Sequence, residues 1–503
     1  MVVESSPYPS GKITNSVVVT QRVFYTFLRF FNLACWLAIL AVGQIDRSNP
    51  LWGVFGIVGT IWVCWVFNMS RPLTAGIYFM VLYSIGQSNF VFDRGLPQVL
   101  QYLDDLVLLL LFGLLARLVI KKLPIVRFVW RLVFLSIGLG MVSGLVGDVP
   151  LWVVVIALAR SLLMGPLLMM LVIWQLSLRD EWHKFYGLFL LIILASFACY
   201  VGQFLRVRNL FPENNEDLYY GLMGGGFAND NSLLMAMLAA VWLAKYLFGA
   251  PRRKTLDLLI LVGLVLAAFV SKSLTVIYAG PLITAGCLTL IWLRGKRKGN
   301  AKRNFHVSLF FLGWVLLFVL IVGLLTGVAG SLWTGINERM SGIIHQLSYG
   351  NADTVNRFWL IRYVWEMGFP TTWNLILGHG PGSFMSSTAN NGIYRSHIWG
   401  QLLGNLPVRY VAPSLLASRL VEYGILGTVL NLILYLGIIW WVLRNGRMLP
   451  SKSRWLAFGF AIAGGLVLPF YVLGGAFEVQ GISNMYWLLA GLVFSNALGY
   501  SKS

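Results

Sequence analysis

Charge is what this chain has least of. Asp, Glu, Lys and Arg together make up 11% of its 503 residues, against roughly a quarter in a soluble protein. So few charges cannot cover a water-exposed surface of this size, so lipid is expected to be the solvent for much of the chain. Acidic residues are the scarcer sign, 18 against 38 basic ones. Cysteine is scarce too. Cys35, Cys64, Cys199 and Cys287 all fall inside apolar runs and show no CxxC spacing. They read as small hydrophobes, with no disulfide framework and no metal site. The first residues, MVVESSPYPSGKITNSVVVTQRVF, lack the basic start and apolar core of a signal peptide, so the first span itself is expected to direct insertion. No phosphate loop, HExxH, GxSxG or dinucleotide fingerprint stands in a supporting context. A reaction here would need an already activated substrate and no cofactor.

Apolar runs are what is present. Hydrophobic residues make up 58% of the chain, and runs of about 20 recur along it, the length that carries a helix across the hydrocarbon core. Spans are expected near 25–43, 51–68, 72–92, 99–120, 126–146, 150–177, 185–204, 231–248, 255–271, 274–293, 307–327, 412–443, 455–474 and 483–499. The fold class that follows is an all-α polytopic membrane protein of about 12–14 transmembrane helices. Residues 1–24 form a cytoplasmic segment, and 25–503 form a single transmembrane domain. Basic clusters at Lys121–Lys122–Arg127, Arg252–Lys254, Arg294–Arg303 and Arg444–Arg454 then fall on one side. The positive-inside rule makes that side cytoplasmic, with both chain ends on it. The net charge of +20 fits this orientation and attraction to anionic membrane lipid. Nucleic acid is not an expected partner, because the basic residues lie between hydrophobic spans.

Two longer connections, 205–230 and 328–411, fall on the opposite, periplasmic side. Long connections of this kind are where function concentrates. Within the second, 355–368 reads as a short helix with Trp359, Tyr363 and Met367 on one stripe, and GHGPGSF at 378–384 as a turn. These outward loops break the charge trend. They carry Arg206, Arg208, Arg339, Arg357, Arg362, Arg395 and Arg409, with Arg419 just inside the next span and Lys272 in a tight turn on the same side. Guanidinium forks match phosphate oxygens, so a lipid-linked phosphate or pyrophosphate is one reading. Salt bridges to Glu213, Glu216, Asp217, Glu338, Asp353 and Glu366 are the competing one. Gly378, Gly380 and Gly382 free the backbone to form either an anion nest or an ordinary turn. His379 and His397 are candidate bases or plain loop histidines. Glu422 is a carboxylate within an apolar segment, and either serves a site or pairs with Arg419 one turn earlier. Asp104 and Asp105 read as helix-capping residues, and Arg160 as a charge near the bilayer midplane.

Taken together, these loop motifs resemble the bacterial O-antigen polymerase and O-antigen ligase superfamily from about residue 185 onward. Arg208 followed by GGGFANDNSLLMAMLAA, with Asn229 and Asn231, resembles the family's arginine loop and span start. Ser271–Thr275 resembles its serine-rich turn. Arg357 and Gly368 in RFWLIRYVWEMG, then GHGPGSF, then RLVEYGILG with Glu422 and Gly424, resemble the segments that follow. Ligases carry a histidine about nine residues before that glutamate, where this chain has Pro413 and Ser414, so the pattern is closer to polymerases. The resemblance implies a GT-C-like glycosyltransferase in the bacterial inner membrane that needs neither nucleotide sugar nor metal. Undecaprenyl-pyrophosphate-linked glycans would be donor and acceptor, and a chain-length regulator a further partner. Arg208 and Arg357 would grip the pyrophosphate with Arg362 or Arg409 in support, and His397 or Glu422 would serve the acceptor. A ligase delivering glycan to lipid A core or protein, and a transporter of lipid-linked oligosaccharides, are the alternatives.

Overall fold

The computed structural model describes residues 13–69, 71–115, 124–178, 185–207, 220–224, 228–248, 254–270, 354–355, 357–384, 410–411, 414–445, 454–473 and 480–500. Among the sequence expectations, Arg208, Lys272, Arg395, His397, Arg409, Cys287 and the spans at 274–293 and 307–327 lie outside the described residues.

Every other expected span coincides with helix. In chain order these are α1 (Ile13–Ile45), α2 (Pro50–Phe67), α3 (Pro72–Phe90), α4 (Leu103–Leu115), α5 (Pro124–Val146), α6 (Leu151–Leu158), α7 (Met164–Leu178), α8 (Phe185–Val207), α9 (Ala228–Phe248) and α10 (Lys254–Val270). Two short helices follow, α11 (Arg357–Met367) and α12 (Thr372–Leu377), then α13 (Leu415–Asn445), α14 (Arg454–Leu473) and α15 (Gln480–Tyr500). Local chemistry sets several starts. Pro50 occupies the first turn of α2, where its missing N–H costs nothing, and the Asn49 side chain accepts from Leu51 N at 3.0 Å. Thr371 caps α12 in the same way through Asn374 N. The only strand pairing among the described residues is a parallel two-residue match of β1 (Thr354–Val355) with β2 (Tyr410–Val411), which ties together the two flanks of the 328–411 connection.

Seven helical stretches among the described residues are long and apolar enough to cross a membrane. α1, α2 and α5 carry exposed Phe27, Phe30, Trp62 and Phe134, side chains that water would not tolerate in such density but lipid would. α3 is different. It carries Ser84, Gln87, Ser88 and Asn89, and 16 of its 19 residues are buried, so it is a core helix. It packs against α2, α4 and α15. This is an all-α, multi-pass membrane protein. Among the described residues its largest apolar cluster joins α3, α7, α8, α9, α14 and α15, with Trp242, Tyr486 and Trp487 at 2% exposure or less.

Among the described residues two helices depart from regular geometry, and both departures matter for the site. The expected 150–177 span is interrupted by one π-helical turn, Ala159–Leu163. α13 is broken at Gly424, whose φ of 62° and ψ of −170° are non-helical. The region at φ above zero with ψ near ±180° belongs almost solely to glycine.

A candidate site at a broken helix

A break in a helix frees carbonyl groups that must find donors. Here the donors come from the GHGPGSF segment. His379 N donates to Val421 O at 2.7 Å and Gly380 N to Glu422 O at 3.0 Å. Ser143 Oγ of α5 also donates to Glu422 O, at 3.1 Å. Phe384 N closes the loop by donating to the Glu422 carboxylate, Oε1, at 3.2 Å. Beyond the break, Thr428 Oγ1 donates back to Gly424 O at 2.7 Å. The segment therefore plugs the gap in α13.

Close approach explains the glycines. Gly378, Gly380 and Gly382 all have positive φ. A Cβ on Gly378 would lie 2.5 Å from Gly424 N, and one on Gly147 would lie 1.8 Å from His379 O. The anion nest foreseen for GHGPG is occupied from within. Gly378 N donates to Asn374 O, and the next two amides bond α13 carbonyls. These amides hold a broken helix together and are not available to hold an anion in this arrangement.

His379 follows the same pattern. It is buried, its Nε2–H donates to Gly368 O at 2.7 Å, and its Nδ1 accepts from Asn374 Nδ2 at 3.3 Å. This set of partners requires the neutral tautomer protonated at Nε2. Burial lowers the affinity of the ring for a second proton, against a smaller opposing pull from the Gly368 carbonyl. His379 is thus a structural pin between α11 and α13, not an exposed loop base.

The two charged residues near the start of α13 are deeply placed. Arg419 is 1% exposed and Glu422 0%. The Arg419 guanidinium carbon lies 5.0 Å from the centre of the Tyr423 ring, close enough for a cation–π contact. The Tyr423 hydroxyl reaches Ser161 Oγ at 2.9 Å, so the break in α13 is tied to the π turn. Leu360 and Val364 of α11, both fully buried, pack with Phe384, Ala417 and Val421 beside it. Of the stripe read from the sequence, Tyr363 is partly buried against this cluster and Met367 is 64% exposed. Arg362 points away from the cluster. Its Nε lies 2.7 Å from Glu366 Oε1, one turn on, and both side chains are more than half exposed. That matches the salt-bridge alternative for Arg362. Arg357 begins α11.

Arg206 lies in the last turn of α8 and joins a second cluster. Its guanidinium lies within electrostatic reach of Tyr220, whose ring also lies 4.9 Å from the Arg47 guanidinium. Arg47 pairs with Asp93 at 2.5 Å. Arg94 donates to the carbonyls of Asp46 at 2.8 Å and Asn89 at 3.3 Å. Gln203 anchors the Tyr220–Gly221 turn by accepting from both of its amides and donating to Gly221 O. The sequence reading missed Arg47 and Arg94, although the same topological argument covers them. Both sit in connections that the span count puts on the arginine-rich side.

Asp104 and Asp105 stand in the first turn of α4, which a 3₁₀ segment, Gln98–Tyr102, runs directly into. Asp105 also has a tertiary partner, its Oδ2 lying 2.8 Å from Arg160 Nε in the π turn. No group of side chains that could hold a metal ion occurs among the described residues.

No protein-family model matches the chain, and no curated protein matches it.

Proposed function

We propose that this protein polymerises undecaprenyl-pyrophosphate-linked oligosaccharide repeat units into O-antigen or exopolysaccharide at the periplasmic face of the bacterial inner membrane. In this reading the bundle is GT-C-like with about 12–14 spans, both chain ends are cytoplasmic, and loops 205–230 and 328–411 are periplasmic. The observation that carries it is the placement of Arg419 and Glu422, one turn apart and both buried, at a break in a membrane helix. Broken helices are used where a membrane protein must bring polar groups to a ligand within the bilayer.

The chemistry needs three things. A cation must face the pyrophosphate as the bond to the anomeric carbon breaks and negative charge grows on the leaving group. Arg419 can supply this from α13, with Arg208 and Arg357 supplying it by resemblance and Arg206 from the cluster around Tyr220. A base must take the proton of the attacking acceptor hydroxyl. Glu422 is the candidate, oriented by Phe384 N. His397 is the alternative from the 328–411 loop. Water must be kept from the anomeric carbon, and the apolar packing of α11 on α13 supports that role.

The test is purified protein supplied with lipid-linked repeat units alone. Elongated glycan without lipid A core supports the polymerase. Transfer only when lipid A core or acceptor protein is present supports a ligase. A second reading, a transporter of lipid-linked oligosaccharides, is favoured by the broken α13 and the buried Arg160–Asp105 pair, since transporters place both near their substrate path. Movement of labelled lipid-linked glycan across vesicles without elongation supports it over the polymerase.

A further inference from the structure

The acid pair of α4 stands apart from the residues assigned above. Asp105 is 6% exposed and is engaged at both oxygens, by Arg160 Nε at 2.8 Å and by Gln480 Nε2 at 3.4 Å. Asp104 is 1% exposed, and neither of its carboxyl oxygens has a hydrogen-bond partner among the described residues. The amides of Asp104 and Asp105 lie beside it but outside hydrogen-bond geometry.

The charges around Asp104 do not balance. On α4 the neighbour is Asp105. From α3 comes Tyr83, whose hydroxyl donates to Leu100 O and lies within electrostatic reach of Asp104 and Arg160. From the 3₁₀ segment comes Tyr102, whose ring lies 4.6 Å from the Arg160 guanidinium. From the π turn comes Arg160 itself, which also donates to Gln101 O at 3.4 Å. From α15, among the described residues, comes the neutral Gln480. Among the described residues one cation therefore faces two carboxyl groups, and a net negative charge buried in a membrane bundle is strongly disfavoured.

We propose that Asp104 and Asp105 form a proton-binding site inside the bundle, in which Arg160 neutralises one carboxylate and a bound proton neutralises the other. The proposal does not rest on the glycan-polymerising reading. In the arrangement seen, Asp105 is the ionised partner and Asp104 carries the proton. Were Arg160 to move to Asp104, the proton would leave that oxygen and Asp105 would take one up. The π turn supplies the freedom for such a move, because its extra residue lets a helix shift register locally. Ser161 follows Arg160 directly and bonds Tyr423 of α13. Proton occupancy is thereby linked to the helix break.

The test is infrared difference spectroscopy of the full chain at neutral pH, in a detergent free of ester groups. The wild type is expected to show the carbonyl band of a protonated carboxylic acid that shifts in heavy water. Asp104→Asn is expected to remove it. Asp105→Asn is expected to remove it as well, because Arg160 then has only Asp104 to pair with and ionises it. Absence of the band in the wild type, or its survival in Asp105→Asn, overturns the proposal. So does a band that appears only when sodium is withdrawn, which would make a metal cation the countercharge. Should Asp104→Asn fail to fold, the wild-type and Asp105→Asn spectra decide the matter.

Discussion

Gly380 N donates to the carbonyl oxygen of Glu422 at 3.0 Å, so a loop amide stands where the next turn of a helix would. Glu422 owes its position to that substitution. Its carbonyl accepts from Gly380 and Ser143, and its carboxylate Oε1 from Phe384 N. Four glycines make the fit: Gly378, Gly380 and Gly424 by backbone conformation, and Gly147 by proximity.

Gly424→Ala tests this joint. The new Cβ would adopt a φ near 62° and lie 2.3 Å from Ile376 O. Strain and overpacking together should cost roughly 2–4 kcal/mol. The expected result is a clear drop in thermal unfolding temperature in detergent. An unchanged midpoint would mean that the break is not as tightly docked as its contacts indicate.

His379 sets a pH dependence. Burial holds its folded-state proton affinity below the ordinary value of about 6.5. The unfolded chain therefore binds more protons as pH falls through that region, and stability must fall with it. Stability from this residue is full above pH ~6.5 and is lost on acidification toward the lower folded value. The expected readout is a melting temperature that declines between neutral and mildly acidic pH. His379→Gln should flatten that slope. An equal slope in the variant would assign the effect to another group.

The helices were legible because a run such as Phe185–Val207 is apolar over its whole length and cannot be anything else in lipid. The break at Gly424 was not. A single glycine in an apolar run reads as a small interface residue, and only the loop 42 residues before the bonded carbonyls reveals that they are bonded elsewhere. The same is true of Asp105 and Arg160, separated by 55 positions. As single residues they read as a capping acid and a midplane charge. Their pairing is tertiary, set by the packing of α4 against α7. Arg362 was ambiguous in sequence for a different reason. Its partner Glu366 lies at the ideal helical spacing, and only exposure decides that the pair faces outward.

Arg419 and Arg362 should respond in opposite ways. Arg362 is in an exposed pair, so Arg362→Ala should change stability by no more than about 0.5 kcal/mol. Arg419 is 1% exposed and packed on Tyr423. If it faces the leaving group, Arg419→Lys should keep the fold yet lower elongation at least tenfold, roughly 1.4 kcal/mol in the barrier. Lysine keeps the charge and loses the planar fork. Elongation measured on protein of matched thermal stability separates the two roles, and full activity in Arg419→Lys would remove Arg419 from the reaction.

The Arg160–Asp105 pair offers a cycle whose sign is informative. Removing one partner of a buried pair leaves the other uncompensated and costs roughly 3–5 kcal/mol, whereas replacing both with neutral groups of similar size can be close to neutral. Arg160→Met alone leaves two acids facing each other, while Asp105→Asn alone leaves Arg160 able to turn to Asp104. The two single variants should therefore be unequal, with Arg160→Met the more damaging. Adding Asp105→Asn to Arg160→Met should recover much of the loss, because only Asp104 then remains to be neutralised, and it can take a proton. Thermal unfolding of the two single variants and the double variant measures this directly. Additive losses would show that Arg160 and Asp105 act independently, despite lying 2.8 Å apart.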